Sequence, residues 1–364
     1  MKFTIARTQF LDALQKVQNV VGARSTLQIL SNALIRAADG RLQVTTTDLD
    51  ISVRCSVEAG VADEGSTTLP VRRLVGIVRE LSEQTIELDI NDEDIATVQC
   101  GSSFFKIIGL PQRDFPPVAA VEGAACYRLE AAVLRDMLRK TSYAVSTDET
   151  RQVLTGILMS FKEGKLTMVA TDGRRLALVE HEVEFPAGAE EDLILPSKSA
   201  AELMHILGDE GDVRIFMQKG QAVFEVGDTT LSTKLIEGTY PNYRQVIPAG
   251  CDERVVVVRD ELITALRRVS LMKSEKSVSA KLTFVDNRLT IVWQNVEVGE
   301  ARETLPIKYT GKEIAVTFNP DYVMEPLRNL ESDEIFIELS NGHSPAIIKC
   351  DQPFLYVLMP LRVN

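Results

Sequence analysis

Apolar positions along this chain follow two rhythms, one of period two and one of period 3.6, and their order of succession recurs three times. The first copy opens with a strand at Phe3-Thr-Ile5. Phe10, Leu11, Leu14, Val17, Val20 and Val21 then fall on one helical face, which predicts a helix over 7–21, with Thr8 as its N-cap and Gly22 as its stop. Strands follow near 29–38, 41–47 and 50–58, a second helix over 71–81, and strands near 85–90, 94–100 and 103–108. The second copy places helices over 129–142 and 196–207. Its strands are expected at 127–129, 154–161, 165–170, 175–184, 212–217, 221–226 and 230–236. The third places helices over 259–276 and 320–330, with strands near 254–258, 279–285, 288–293, 299–307, 334–339, 345–349 and 354–359.

The centre of the pattern is Lys165-Leu-Thr-Met-Val-Ala-Thr-Asp-Gly-Arg-Arg-Leu-Ala177, which reads as a strand, a tight Asp172-Gly173 turn and a returning strand. Arg41-Leu-Gln-Val-Thr-Thr-Thr-Asp48 and Arg288-Leu-Thr-Ile-Val-Trp-Gln-Asn295 repeat its first half. Pro70, Pro196 and Pro320 stand at matching places before the second helices. Linkers rich in Pro, Gly and Ala begin at Phe115-Pro116 and Tyr240-Pro241. These features predict an α+β chain of three repeated domains, 1–121, 124–248 and 250–364, each with two helices packed on antiparallel strands.

Composition narrows the chemistry. The five cysteines (Cys55, Cys100, Cys126, Cys251, Cys350) form no C-x-x-C pair, which speaks against a disulfide framework or a structural zinc site. No apolar run approaches a membrane span, and the N-terminal residues lack a signal-peptide pattern, so a cytoplasmic location is expected. The net charge is −12, which disfavours a general nucleic-acid binder. The predicted helices nevertheless hold more Lys and Arg than Asp and Glu. Their cations include Arg7, Lys16, Arg72, Arg73, Arg79, Arg135, Arg139, Lys140, Lys198, Arg267, Arg268 and Lys273. Helices sharing a surface would make it basic on an acidic body, suited to sequence-independent phosphate contact. Ordinary solvated helix faces would look the same.

Motifs for catalysis are missing. The three histidines have no metal-ligand spacing, and no phosphate loop, dinucleotide fingerprint or nucleophile elbow occurs. Asp172 with Arg175 could imitate a catalytic pair, but a hairpin turn with exposed cations accounts for them. No enzyme, cofactor or metal is expected.

The residues do resemble one family over the whole chain: the bacterial DNA polymerase III beta subunit, the sliding clamp. The resemblance is carried by Met1-Lys-Phe-Thr4, Gly22-Ala-Arg-Ser-Thr-Leu-Gln-Ile-Leu30, Thr47-Asp-Leu49 and Val169-Ala-Thr-Asp-Gly-Arg-Arg-Leu-Ala177. Ser232-Thr-Lys-Leu-Ile-Glu-Gly238, Tyr240-Pro-Asn-Tyr243 and the tail Tyr356-Val-Leu-Met-Pro-Leu-Arg362 complete it. It implies a head-to-tail homodimeric ring around double-stranded DNA, binding the polymerase alpha subunit, the clamp loader and other polymerases and repair proteins through short linear motifs. Matched residue by residue, the DNA-binding positions are Arg24, Arg72, Arg73, Arg151 and Lys198. The partner-peptide positions are Leu154, Thr171, Gly173, Arg174, Arg175, Leu176, Pro241, Val246, Ser344, Val357, Met359, Pro360, Leu361 and Arg362. The dimer seam matches Phe105 and Ile107 with Leu271 and Met272. The loop Ser146-Thr-Asp-Glu-Thr150 is more acidic than the family pattern. Two other readings stand beside the clamp: a scaffold that gathers peptide-bearing proteins without encircling DNA, and an enzyme using Asp172 and Arg175 on a phosphorylated substrate.

Overall fold

The computed structural model describes every residue except 23–26, 83, 119–125, 187, 219, 274–277 and 362–364. Two compact units make up the chain: Met1–Arg135 with Lys198–Leu235, and Asp136–Ser197 with Ile236–Asn364. Their limits cut through the second of the three sequence repeats.

The first unit holds an eight-stranded antiparallel sheet. Its order is Cys126–Glu130, Asp212–Gln218, Gln221–Val226, Thr229–Lys234, Ile51–Glu58, Arg41–Thr47, Asn32–Ala38 and Gly65–Pro70. Four strands come from the second repeat and four from the first. They meet where Leu231 faces Val53 and Ser232 faces Ser52. A five-stranded sheet runs Gly60–Asp63, Lys2–Ala6, Thr85–Ile90, Ile95–Cys100 and Ser103–Ile108, the last an edge. Helices Arg7–Gln18 and Val71–Glu80 pack together and bury Phe10, Ala13, Leu14 and Val17 with Val71, Leu74, Val75 and Val78.

The second unit repeats the design. Its larger sheet runs Glu191–Pro196, Gly156–Lys162, Lys165–Thr171, Arg175–Glu182, Phe354–Leu358, Ala346–Lys349, Glu334–Leu339 and Glu253–Val258. Second and third repeats join where Leu176 faces Val357. Four strands, Gly299–Pro306, Arg288–Asn295, Ala280–Val285 and Ile314–Phe318, form a separate sheet with Gly299–Pro306 at its edge. Helices Arg259–Val269 and Pro320–Arg328 pack as the corresponding pair, burying Leu262, Leu266, Val323, Met324 and Leu327.

The helices stand where periodicity puts them but are shorter. The first ends at Gln18 rather than 21, and its N-cap is Ala6, with no side-chain cap from Thr8. The stretch expected as helix 259–276 is α-helical only to Val269 and continues as a 3-10 turn, Ser270–Met272. Four strands lie outside those expected: Gly60–Asp63, Gly65–Pro70, Glu191–Pro196 and Ile314–Phe318. Pro70 and Pro196 therefore close a strand and precede the helix by one residue, whereas Pro320 is a true first helical residue behind an Asn319 cap. Proline lacks the N–H that a further ladder bond would need.

Gly156 marks how tightly the second unit's sheet closes. A Cβ there would lie 2.6 Å from Ile194 Cγ2, 2.7 Å from Ile236 Cδ1 and 2.8 Å from the Leu195 carbonyl. Gly156→Ala should cost about 1–3 kcal/mol through overpacking. Urea unfolding would measure it, and an unchanged midpoint would refute the close approach.

Candidate functional site

The Lys165–Thr171 and Arg175–Glu182 strands pair in a register that sets Thr171 opposite Leu176. The turn between them therefore spans four residues, Asp172 to Arg175, and contains the expected Asp172-Gly173. Asp172 Oδ1 accepts from the backbone N–H groups of Arg174 (2.8 Å) and Arg175 (3.1 Å). Thr171 Oγ1 donates to the Arg175 carbonyl at 2.6 Å and accepts from Gly173 N at 3.1 Å. Gly173 adopts φ +86°, which a residue without Cβ takes freely. Asx and hydroxyl bonds of this kind replace the ladder bonds that a turn forgoes.

Arg175 departs from the exposed cation expected of it. Its side chain is 7% exposed and lies between carboxylates: Nε donates to Asp172 Oδ2 at 3.1 Å, and Nη1 pairs with Glu325. Nη2 donates to the Tyr143 carbonyl at 2.6 Å, and the guanidinium stacks 4.2 Å from the Tyr322 ring centroid. Such geometry uses arginine's planar fork and its stacking face together. Burial raises the pKa of the neighbouring Tyr143 and Tyr356 hydroxyls, so both stay protonated at neutral pH.

Beside this base lies an apolar cluster with exposed neighbours, the candidate groove. Leu176 and Val357 form a buried cluster with Leu158 and Val169, against which Leu178, Tyr240, Tyr243, Ile247 and Leu355 pack. At 2% exposure each, Leu176 and Val357 are floor rather than wall. The rim is open: Val246 is 50% and Met359 42% exposed, and Pro241 and Arg174 are exposed as well. Met359 N donates to the Arg174 carbonyl at 2.9 Å, fastening the tail to the hairpin. Leu361 N donates to the Thr317 carbonyl at 2.8 Å, which holds Pro360 and Leu361 against the third repeat. Leu154 is 8% exposed on the turn Glu149–Thr155. Ser344 is partly buried on the loop before Ala346–Lys349, its N–H donated to Asn341 Oδ1 at 2.8 Å. Arg362 lies outside the described residues. Tyr143, Tyr240, Tyr243, Ile247, Tyr322 and Glu325 were not singled out as site residues. The signal available was two aromatics, Tyr240 and Tyr243, inside a linker, where apolar rings need cover.

Three of the expected DNA contacts, Arg72, Arg151 and Lys198, have partners within the chain. In the first unit, Arg72 is exposed and donates to the Val21 carbonyl at 2.8 Å, while Arg73 is exposed. Lys198 pairs with Asp48. Burial would raise the Asp48 pKa, but the Lys198 hydrogen bond and the backbone N–H groups of Ile51 and Asp50 leave it lowered. Arg24 lies outside the described residues. In the second unit, Arg151 donates to Asp148 Oδ2 at 3.1 Å and to the Asp172 carbonyl at 2.8 Å. It therefore braces the groove's hairpin. Lys140, counted with the helix cations, is 4% exposed, with its Nζ bound to Asp136 at 2.5 Å and Gln352 at 2.6 Å. Arg135, Arg139, Arg268 and Lys273 also have carboxylate partners.

Of the expected seam residues, Phe105 is 38% exposed on the edge strand Ser103–Ile108, and Leu271 is 81% exposed beside the partly buried Met272. Ile107 is 1% exposed, so its side chain serves the core of its own sheet and not an outer face. Phe104 and Ile108, 64% and 72% exposed, are the open apolar positions of that strand.

Three successive stretches match family models described as the DNA polymerase III beta subunit: N-terminal domain at 1–119, central domain at 128–242 and C-terminal domain at 244–362. The chain is 34% identical over 364 residues to a beta sliding clamp of Chlamydia muridarum, covering 100% of both chains. It is 32% identical over 368 residues to that of Pseudomonas aeruginosa, again covering both fully. Among solved structures, it superposes on a sliding clamp from Bartonella birtlesii bound to griselimycin with a TM-score of 0.94, 35% identity and full coverage of both. For the Pseudomonas aeruginosa clamp bound to griselimycin the TM-score is 0.95, with 32% identity and full coverage. No described helix is long and apolar enough to cross a membrane.

Arg175→Met should destabilise the chain by about 3–5 kcal/mol, because Asp172 and Glu325 lose their buried counter-charge. Chemical denaturation would measure this, and a loss below about 1 kcal/mol would mean that solvent already screens the cluster.

Proposed function

The chain belongs to the DNA polymerase III beta subunit family, the beta sliding clamps, and from that premise we propose that it closes as a head-to-tail homodimeric ring around duplex DNA. On this reading it performs no chemistry of its own and works in the cytoplasm. It holds the polymerase alpha subunit, the clamp loader and other polymerases and repair proteins at the template. Tethering raises a partner's effective concentration without adding any contact to the DNA sequence.

The groove between the Arg175–Glu182 and Phe354–Leu358 strands carries the partner side of the proposal. An apolar floor, a pliable Met359 and an open rim suit a short segment with two apolar anchors. Griselimycin accompanies two of the similar clamps in their crystal structures, which supports a ligand-accepting surface.

Internal symmetry supplies the ring's seam. Within each unit, the last strand of one repeat pairs with the strand that follows the Asp turn of another: Ser232 opposite Ser52, and Val357 opposite Leu176. Two strands of these same kinds remain sheet edges, Ser103–Ile108 and Gly299–Pro306. Unpaired edges invite a partner. In the transposed register, Lys106 takes the place of Ser232 and Val357, and Glu300, which faces Gln294, takes that of Ser52 and Leu176. Lys106 of one protomer then faces the partner subunit's Glu300, and Ile108 comes to the partner subunit's Val298. Leu271 and Met272 add apolar cover, with Met272 Cε lying 3.5 Å from a Cβ built on Gly299.

Two measurements test the reading. Protein loaded on nicked circular DNA should survive moderate salt and be lost once the circle is cut, since salt weakens phosphate contacts but not a topological link. Equal loss from both forms would favour the scaffold. Separately, Lys106→Glu should weaken the dimer in sedimentation equilibrium, because like charges then stand opposite, and adding Glu300→Lys should restore it. Failure of that rescue would discard the register.

A further inference from the structure

The segment Ser142–Thr155 serves both proposed surfaces: Leu154 belongs to the groove, and Arg151 to the expected DNA set. Two arginines tie it to the hairpin that walls the groove. Arg175 reaches the Tyr143 carbonyl at 2.6 Å from a buried position. Arg151 reaches the Asp172 carbonyl at 2.8 Å, Asp148 Oδ2 at 3.1 Å and Ser146 Oγ at 3.3 Å, while 45% of its side chain stays exposed. Next to it, Gly173 has no Cβ, and one built there would lie 3.1 Å from Arg151 Nη1. The two ties differ in permanence. Arg175 is itself buried and held between two partly buried carboxylates, whereas Arg151 holds an exposed aspartate that water screens. A phosphate group offers the same guanidinium two acceptor oxygens, a bidentate partner.

We propose that Arg151 is a latch shared by two ligands, so that phosphate contact at this segment and peptide occupancy of the groove oppose each other. With the latch on Asp172, the hairpin carrying Gly173, Arg174 and Leu176 is held for a peptide. With the latch drawn to a DNA phosphate, the hairpin keeps only its Arg175 tie and the groove loosens. Linkage makes the effect reciprocal: a bound peptide must weaken DNA contact by the same factor. The inference rests on the duplex and groove readings given under Proposed function, together with the phosphate contact expected of Arg151.

The test uses the intact dimer, a fluorescein-labelled peptide with two adjacent leucines, and a short blunt duplex at low salt. In the unaltered protein, saturating duplex should weaken peptide binding by at least about fivefold, the low end of ordinary coupling between sites. Arg151→Ala should bind peptide more weakly without DNA and show no further loss when duplex is added. Arg151→Lys, which keeps the charge but not the fork, should recover duplex binding without recovering peptide affinity. Peptide affinity unchanged by bound duplex in the unaltered protein would overturn the latch and leave the clamp reading standing. An equal duplex effect in Arg151→Ala would overturn it too, assigning the competition to DNA lying in the groove itself. Absence of peptide binding altogether would remove the groove reading and the latch with it.

Discussion

Antiparallel pairing between strands of different repeats is the constraint on which the rest of this molecule rests. Half of a repeat ends in a strand with one row of N–H and C=O groups unmet, and an unmet row is costly when buried. The second repeat's Thr229–Lys234 meets the first repeat's Ile51–Glu58, and the third repeat's Phe354–Leu358 meets the second repeat's Arg175–Glu182. Each junction sets a turn beside a last strand, and at the second a stretch of linker packs against both. The groove proposed for a partner peptide lies at the second junction.

The same junction is built twice with opposite chemistry. In the first unit the positions of Leu176 and Val357 are held by Ser52 and Ser232, and ion pairs Asp48–Lys198 and Asp50–Lys234 flank them. Leu49 there takes φ +82° where Gly173 takes +86°, so a backbone geometry easy for glycine is imposed on leucine. One junction is polar and closed by charge, the other apolar and open. A triplicated backbone can therefore carry unlike junctions, because side chains rather than the fold decide the chemistry of each.

Much of this was legible in the sequence. The threefold order of elements, six helix positions and the hairpin at Asp172 follow from periodicity and turn chemistry, which are local. What escaped was non-local. Leu193, Ile194 and Leu195 are buried in succession within Glu191–Pro196, and a run without alternation carries no strand rhythm. Arg175 reads as a surface charge until Glu325 and Tyr322 of the third repeat come to it. Phe105 and Ile107 share a face of their strand by alternation, but the core covers only Ile107. The groove's rim was named through family likeness, while its aromatic backing, Tyr240 and Tyr243, had to be seen in place.

The division of the central repeat has a consequence for how such a chain can be inherited and altered. Its halves belong to different compact units, since Lys198–Leu235 goes with the first repeat and Asp136–Ser197 with the third. Duplication multiplied a segment of about 120 residues, the common size of a domain, yet folding stabilises pieces cut at other places. A gene that lost the central repeat would sever two sheets instead of removing one module. The linkers mark where the sequence repeats, while the compact units are bounded elsewhere, inside the central copy.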